Sequence, residues 1–300
     1  MTQRWLVQRE RANVAALRFL VWIACRLGRP AGRAVLLPVC AYFILFAPRA
    51  RAASRAYLAR ALGRRPSIGD LFRHFFVFAT VALDRIHFLS GNDERFEIRI
   101  EGEHIVREQL ARGQGCFLLG AHLGSFEALR ALGRRQRQRI CLAMFEENAR
   151  NIARITRLVN PNLEHDVIAL GTPESMLKIT ERLERGDLVG MLGDRALYDT
   201  GQVRVPFFGA TASFPTSPFR IAAIARRPIV LMAALYRGGN RYDLCFEMLV
   251  ETPVLERATR DQAIRRWVAL YASRLEHYCR HAPYNWFNFY DFWAASEEAS

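Results

Sequence analysis

The sequence almost lacks lysine: Lys178 is its single lysine, and arginine supplies the rest of the 43 basic residues. Against 29 acidic residues this gives a formal net charge of +14. Such a charge favours contact with anionic membrane surfaces, nucleic acid or an acidic carrier protein. Biased genome composition is the alternative explanation for the arginine excess. The 51% hydrophobic and 24% charged content excludes a wholly disordered chain and is enough for one large core.

Paired cysteine motifs are also missing. The six cysteines are scattered, mostly within apolar runs, and none forms a CxxC pair, which predicts buried, reduced thiols in a protein that lies in or faces the cytoplasm. His277 and His281 are four residues apart, but no glutamate completes an HExxH motif. The sequence therefore predicts no metal site, and we expect no cofactor. The cysteines are Cys25, Cys40, Cys116, Cys141, Cys245 and Cys279.

No apolar run reaches the roughly 20 residues of a membrane-spanning helix. The longest, from Ala34 to Ala47, contains Pro38 and follows a predicted turn at 28–30. A cleaved signal peptide, a single tilted span from Leu17 to Phe46 and a buried helical pair are alternatives. A helical hairpin in one leaflet fits best, because it leaves the arginines near lipid phosphates.

A strongly basic segment, Pro48–Arg65, follows the apolar region and suits the cytoplasmic face of a membrane. We therefore expect an apolar and basic helical membrane-association region at residues 1–65 and an α/β domain at residues 66–300. An inner (cytoplasmic) membrane location with the functional site facing the cytoplasm follows from the same pattern.

From about Phe96 onward, short apolar runs alternate with helical patterns, which predicts an α/β fold with a largely parallel central sheet flanked by helices. Arg237–Asn240 is a hairpin signal, so the sheet is expected to be mixed. The predicted strands are 96–100, 116–120, 140–144, 167–170, 188–192, 229–235 and 242–249. The predicted helices are 102–112, 125–132, 148–159, 173–185, 216–226 and 260–279.

The segment 115–130 carries a candidate reactive histidine. His122 follows an apolar strand, Ser125 is a candidate N-cap of the next helix, and Glu127 falls in its first turn. A histidine at this point can take a proton from an alcohol, and Glu127 can reach back to orient it. Amides near Gly124 and Ser125, at the helix N-terminus, can help to hold an oxyanion.

No protein nucleophile accompanies this histidine, since the GxSxG motif is absent. A base without a protein nucleophile indicates that a hydroxyl of a second substrate, which then accepts the transferred group, attacks directly. On spacing alone, a buried structural histidine in a polar turn is an equal alternative.

The motif His122-Leu-Gly-Ser-Phe-Glu127 resembles the Hxxxx(D/E) motif of the lysophospholipid acyltransferase superfamily. The chain looks most similar to its lipid A biosynthesis branch, the late lauroyl and myristoyl acyltransferases. Further resemblance lies in Gly190–Arg195, in Val205–Gly209 followed by Phe214-Pro215, and in the aromatic run Asn285–Trp293.

The resemblance implies an acyl-carrier-protein or CoA thioester donor and a membrane-bound lipid acceptor. It makes His122 the general base and Glu127 its orienting partner. Asp194 and Arg195 match a second family motif, and their implied roles are to hold the site together and bind a polar or anionic part of a substrate. The resemblance does not decide the identity of the acceptor, which is either lipid A or another outer-membrane or pigment-type lipid.

Three other functions compete with this interpretation. In a thioesterase or lipid hydrolase, water would replace the acceptor hydroxyl. A basic nucleic-acid-binding protein would fit the charge, but no helix-turn-helix, zinc-finger or RNA-binding signature is present, so we expect no nucleic-acid partner. A membrane scaffold with a degenerate site is the third alternative, and the intact His122–Glu127 pair argues against it.

Overall fold

The computed structural model describes Trp22, residues 26–145, Val159, residues 166–195 and residues 201–293. Its centre is a seven-stranded sheet with the order β1-β9-β8-β2-β5-β3-β4. The sheet strands are β1 (Glu97–Glu101), β2 (Phe117–Gly120), β3 (Ile140–Phe145), β4 (Val167–Leu170), β5 (Leu188–Leu192), β8 (Ile229–Gly238) and β9 (Arg241–Val250).

Five neighbouring strands, β8, β2, β5, β3 and β4, run parallel to one another. β9 is antiparallel to β8 and carries the parallel edge strand β1. The predicted α/β fold with a mixed, largely parallel sheet is confirmed, and so is the hairpin between the last two strands. Because the carboxyl ends of parallel strands meet at one edge, residues that follow β2 and β5 come together there.

Both faces of the central strands are buried, which explains their continuous apolar sequences. Phe117 and Leu119 of β2 join one core cluster, whereas Cys116 and Leu118 join the cluster on the opposite face. The alternation follows from the two-residue period of a strand.

Helices cover the two faces of the sheet. α4 packs against β9, α5 packs against β8 and β9, and α6 packs against β4 and β5. α8 contacts α7, β9 and two further strands, β6 (Gln202–Phe207) and β7 (Ala210–Pro215), and thereby covers the other side of the sheet. Their bounds are α4 (Glu103–Ala111), α5 (Phe126–Arg135), α6 (Pro173–Glu184), α7 (Ser217–Ala225) and α8 (Arg260–His281). The predicted helix at 148–159 lies outside the described residues, except for Val159.

In the described part of the chain, three α-helices precede the sheet: α1 (Gly28–Phe46), α2 (Pro48–Leu62) and α3 (Ile68–Leu89). The sequence interpretation did not include α3, although Ser67 and Asp70 form a reciprocal capping box at its start. The predicted boundary at residue 65 falls in the loop between α2 and α3, and the division into two regions there stays a prediction.

α1 is longer than the apolar run that was predicted, because it begins at Gly28 and includes Arg29 and Arg33. The Arg29 guanidinium lies 2.5 Å from Asp84 of α3, which also accepts a hydrogen bond from the Tyr242 hydroxyl at 2.7 Å. This buried pairing neutralises the charge of Arg29 and fixes α1 on the body. Among the helices that the structure describes, α1 alone has the length and composition to cross a membrane. The first arm of the predicted hairpin lies outside the described residues, apart from Trp22.

A two-stranded antiparallel sheet, β6 (Gln202–Phe207) and β7 (Ala210–Pro215), was not predicted. Phe207 and Phe214 are buried, and β6 packs against α8. The Val205–Gly209 motif therefore forms the turn region of a hairpin that covers one side of the core.

Candidate active site

His122 lies just beyond the end of β2, at the parallel edge of the sheet. β2 ends at Gly120, whose carbonyl accepts hydrogen bonds from the Tyr271 hydroxyl at 2.8 Å and from the Gly193 amide at 2.9 Å. These contacts join β2 to α8 and to the neighbouring strand β5. The sequence prediction of a histidine at a strand end is confirmed.

The imidazole of His122 is bonded to Asp194, the second residue after β5. Nδ1 of His122 lies 2.9 Å from Oδ1 of Asp194, and the backbone amide of His122 donates to Oδ2 at 3.0 Å. An ionised carboxylate only accepts hydrogen bonds, so Nδ1 carries the proton of the neutral ring. The lone pair of the neutral imidazole is then on Nε2.

The Asp194 carboxylate is buried, and a third donor reaches it. Nε1 of Trp286 donates to Oδ2 at 3.0 Å. Burial by itself raises the pKa of the Asp194 carboxyl, but His122, the charge of Arg195 and the Trp286 N–H together hold this pKa well below its usual range. Asp194 is therefore a permanent anion at neutral pH.

The pKa of His122 is lowered from its ordinary value. Burial is the largest cause and the positive charge of Arg195 adds to it, while the Asp194 carboxylate opposes both. His122 is consequently neutral at pH 7, which is the state that a general base needs.

The His122 side chain is partly exposed. The side chain is 32% exposed, and Nε2 has no hydrogen-bond partner among the residues that the structure describes. A bound hydroxyl can reach this nitrogen, so the arrangement supports proton abstraction from an alcohol or from water.

Glu127 is buried in the first turn of α5, and its partners are two arginines. Oε1 lies 3.0 Å from Nε of Arg85 on α3, and Oε2 lies 3.4 Å from Nη1 of Arg130. The orienting position on Nδ1, which the sequence motif assigned to Glu127, is occupied by Asp194. Glu127 holds two positive charges at the start of the helix that follows His122.

Gly124 and Ser125 have structural roles in this geometry. The Gly124 amide donates to the Asn285 carbonyl at 2.9 Å and the Ser125 amide to the Ala234 carbonyl at 2.8 Å. Ser125 caps α5 through its side chain, as predicted. Because both amides already have acceptors, the predicted use of these N–H groups in an oxyanion hole is not supported. Gly124 has φ +66°, and a Cβ would lie 1.7 Å from the Ala234 oxygen, so only glycine fits.

Arg195 follows Asp194 and turns toward the C-terminal aromatic segment. Its Nη2 donates to the Phe287 carbonyl at 2.8 Å, and its guanidinium carbon lies 5.4 Å from the centre of the Tyr290 ring. The guanidinium retains further N–H groups beyond this bond. Its positive charge also lowers the pKa of His122.

Sequence reasoning missed two features of this site. Trp286 belongs to an aromatic run that was noted, but its bond to Asp194 depends on tertiary packing that the sequence does not show. Arg85 was missed because α3 itself was not predicted; the Ser67–Asp70 capping box was the available signal.

The histidines near the C-terminus do not belong to the site. The rings of His277 and His281 lie on one face of α8, with centres 4.1 Å apart and planes tilted by 39°. Among the described residues, no group of His, Cys, Asp or Glu side chains is arranged to hold a metal ion.

Comparison with protein families gives one match that covers nearly the whole chain. The model of the bacterial lipid A biosynthesis acyltransferases matches residues 11–294, including every site residue described above. No curated protein matches the chain significantly.

Proposed function

The chain belongs to the bacterial lipid A biosynthesis acyltransferase family, and from this premise we propose that it moves a fatty acyl group from an acyl-carrier-protein or CoA thioester to a hydroxyl of a membrane lipid. The observation that carries the proposal is the His122–Asp194 pair, with a partly exposed imidazole whose Nδ1 is held by the carboxylate. This pair lies where ligands bind in open α/β sheets.

The proposed reaction begins with the acceptor hydroxyl beside Nε2 of His122. Nε2 takes the hydroxyl proton while the oxygen attacks the thioester carbonyl carbon. The imidazolium is stabilised by the Asp194 anion, as in other His–carboxylate pairs. The carbon–sulfur bond then breaks, and the departing thiolate takes the proton back from His122.

Arg195 is the proposed source of positive charge for the tetrahedral oxyanion or for an anionic part of the substrate. Arg195 directly follows Asp194 in the chain, and its charge lowers the pKa of His122. A guanidinium fixed by the Phe287 carbonyl and the Tyr290 ring needs little reorganisation during the reaction.

Asp194 takes the orienting role in this proposal. Glu127 pairs with Arg85 and Arg130 near the N-terminus of α5, which is a structural role in this proposal. The overall charge of +14 favours recruitment of an acidic carrier protein and of anionic lipid.

We further propose that the enzyme lies on the cytoplasmic face of the inner membrane. Support comes from α1, whose Tyr42, Leu45 and Phe46 side chains are more than half exposed. Arginines of the following helix, α2, lie next to this apolar end. An apolar helix face flanked by arginines is the composition of an interfacial membrane anchor.

The proposal is tested with radiolabelled acyl-carrier-protein and, separately, labelled acyl-CoA, each mixed with the protein and a bacterial lipid extract. We expect label in a lipid product, and the product identifies the acceptor. Release of the label only as free fatty acid would make the protein a thioesterase. Absence of both products with either donor would refute thioester-dependent acyl transfer.

A further inference from the structure

The segment 285–287 crosses directly over the active-site turn. The Phe287 amide donates to the His122 carbonyl at 2.8 Å, and the Asn285 carbonyl accepts from the Gly124 amide at 2.9 Å. These two bonds pair Trp286 with Leu123 as in an antiparallel bridge. The turn that carries His122 is therefore held from outside its own strand.

The Trp286 side chain of this segment contacts Asp194, the partner of His122. Trp286 is fully buried, and its Nε1 donates to Oδ2 of Asp194, while Oδ1 is left for Nδ1 of His122. We propose that Trp286 is a positioning residue of the acyl transfer, which fixes the rotation of the Asp194 carboxylate through its indole N–H. This inference rests on the proposed function, because His122 must be the base for the orientation to matter.

The main chain of Trp286 is itself anchored by a polar pair on the N-terminal helices. Nε2 of His74 on α3 lies 2.9 Å from the Trp286 carbonyl, and Nδ1 lies 2.8 Å from Oγ of Ser54 on α2. A carbonyl only accepts, so His74 donates from Nε2 and Ser54 donates to Nδ1. The helices before the sheet thus help to fix the residue that orients Asp194.

Packing alone is the competing explanation, and Trp293 provides the comparison. Trp293 is buried in the same aromatic cluster, with its ring centre 6.3 Å from that of Trp286. Its Nε1, however, donates to the Phe207 carbonyl at 3.3 Å. The two tryptophans therefore share an environment and differ in whether their N–H reaches Asp194.

The test replaces each indole in the full-length protein with 3-benzothienylalanine, which keeps the shape of the ring system but has sulfur in place of N–H. At position 286 we expect kcat for acyl transfer to fall roughly 10- to 100-fold while KM stays within about twofold, because a loosened carboxylate misplaces the base. At position 293 the same replacement is expected to leave kcat unchanged. Trp286→Phe and Trp293→Phe form a second pair, with thermal unfolding recorded for every variant.

Equal kcat for the protein with 3-benzothienylalanine at position 286 and the unmodified protein would overturn the positioning role, as would equal losses at positions 286 and 293. Failure of the proposed function gives a different result: the unmodified protein itself would not transfer label, or His122→Ala would be as active as the unmodified protein.

Discussion

Nδ1 of His122 is bonded to Oδ1 of Asp194 at 2.9 Å, although the two residues are 72 positions apart in the chain. Each follows a buried strand, and β2 and β5 are neighbours in the parallel sheet. The pair is therefore a product of strand order. It fixes one tautomer of the imidazole, while burial and the charge of Arg195 lower the pKa of His122 and favour its neutral state. The proposed chemistry needs both properties.

Asp194→Asn is expected to lower kcat for acyl transfer by at least about a hundredfold with the fold retained. An amide at this position removes the negative charge and can donate to Nδ1, which would move the ring proton to Nε2 and block the base. The matched control is Asp187→Asn, since Asp187 is also buried beside β5 but pairs with Arg182 at 3.1 Å. An active Asp194→Asn protein would show that another group orients His122.

Glu127→Gln is expected to destabilise the protein by roughly 3 kcal/mol, because it leaves the buried Arg130 without its anion. Chemical denaturation measures this change. Glu181→Gln removes an exposed i,i+4 pair with Arg185 and should cost less than about 1 kcal/mol. A Glu127→Gln protein with unchanged stability but no transfer activity would contradict the structural role and return Glu127 to the reaction itself.

The central strands β2, β5 and β8 were predictable from the sequence because burial on both faces makes them nearly continuous apolar runs. β6 and β7 were missed because Pro206 and Gly209 give that segment the composition of a loop. The sequence placed His122 and Asp194 at strand ends, but strand order is decided by packing of the whole domain. The motif spacing therefore suggested Glu127 as the partner, whereas the sheet brings Asp194 to the ring.

The pH dependence of kcat/KM tests the electrostatics of the site. Burial and Arg195 lower the pKa of His122, so activity should persist below pH 6.5, the region where an ordinary histidine becomes protonated. Arg195→Gln removes a positive charge that disfavours the imidazolium, so the pKa of His122 should rise. The acid limb of the kcat/KM profile, where activity falls as His122 becomes protonated, should then move to higher pH. Arg185→Gln, at the exposed end of α6, should leave the limb unchanged. A shift of the limb to lower pH in Arg195→Gln would contradict this assignment.

Binding to anionic vesicles tests the membrane surface on α1. Leu45→Glu combined with Phe46→Glu should weaken binding by roughly tenfold or more, since each side chain contributes apolar area that leaves water. Leu177→Glu changes an equally exposed leucine on α6 and should bind as the unmodified protein does. Equal binding by the α1 double variant and the Leu177 variant would exclude α1 as the anchor.

The most direct test of the central claim compares the intact protein with His122→Ala and His281→Ala in acyl transfer from labelled acyl-carrier-protein to lipid extract. His281 is exposed near the end of α8 and serves as the matched control. We predict a loss of roughly a hundredfold or more for His122→Ala, the range expected for a general base, and full activity for His281→Ala. Transfer by His122→Ala at the rate of the intact protein would contradict the claim, because the histidine would then be structural.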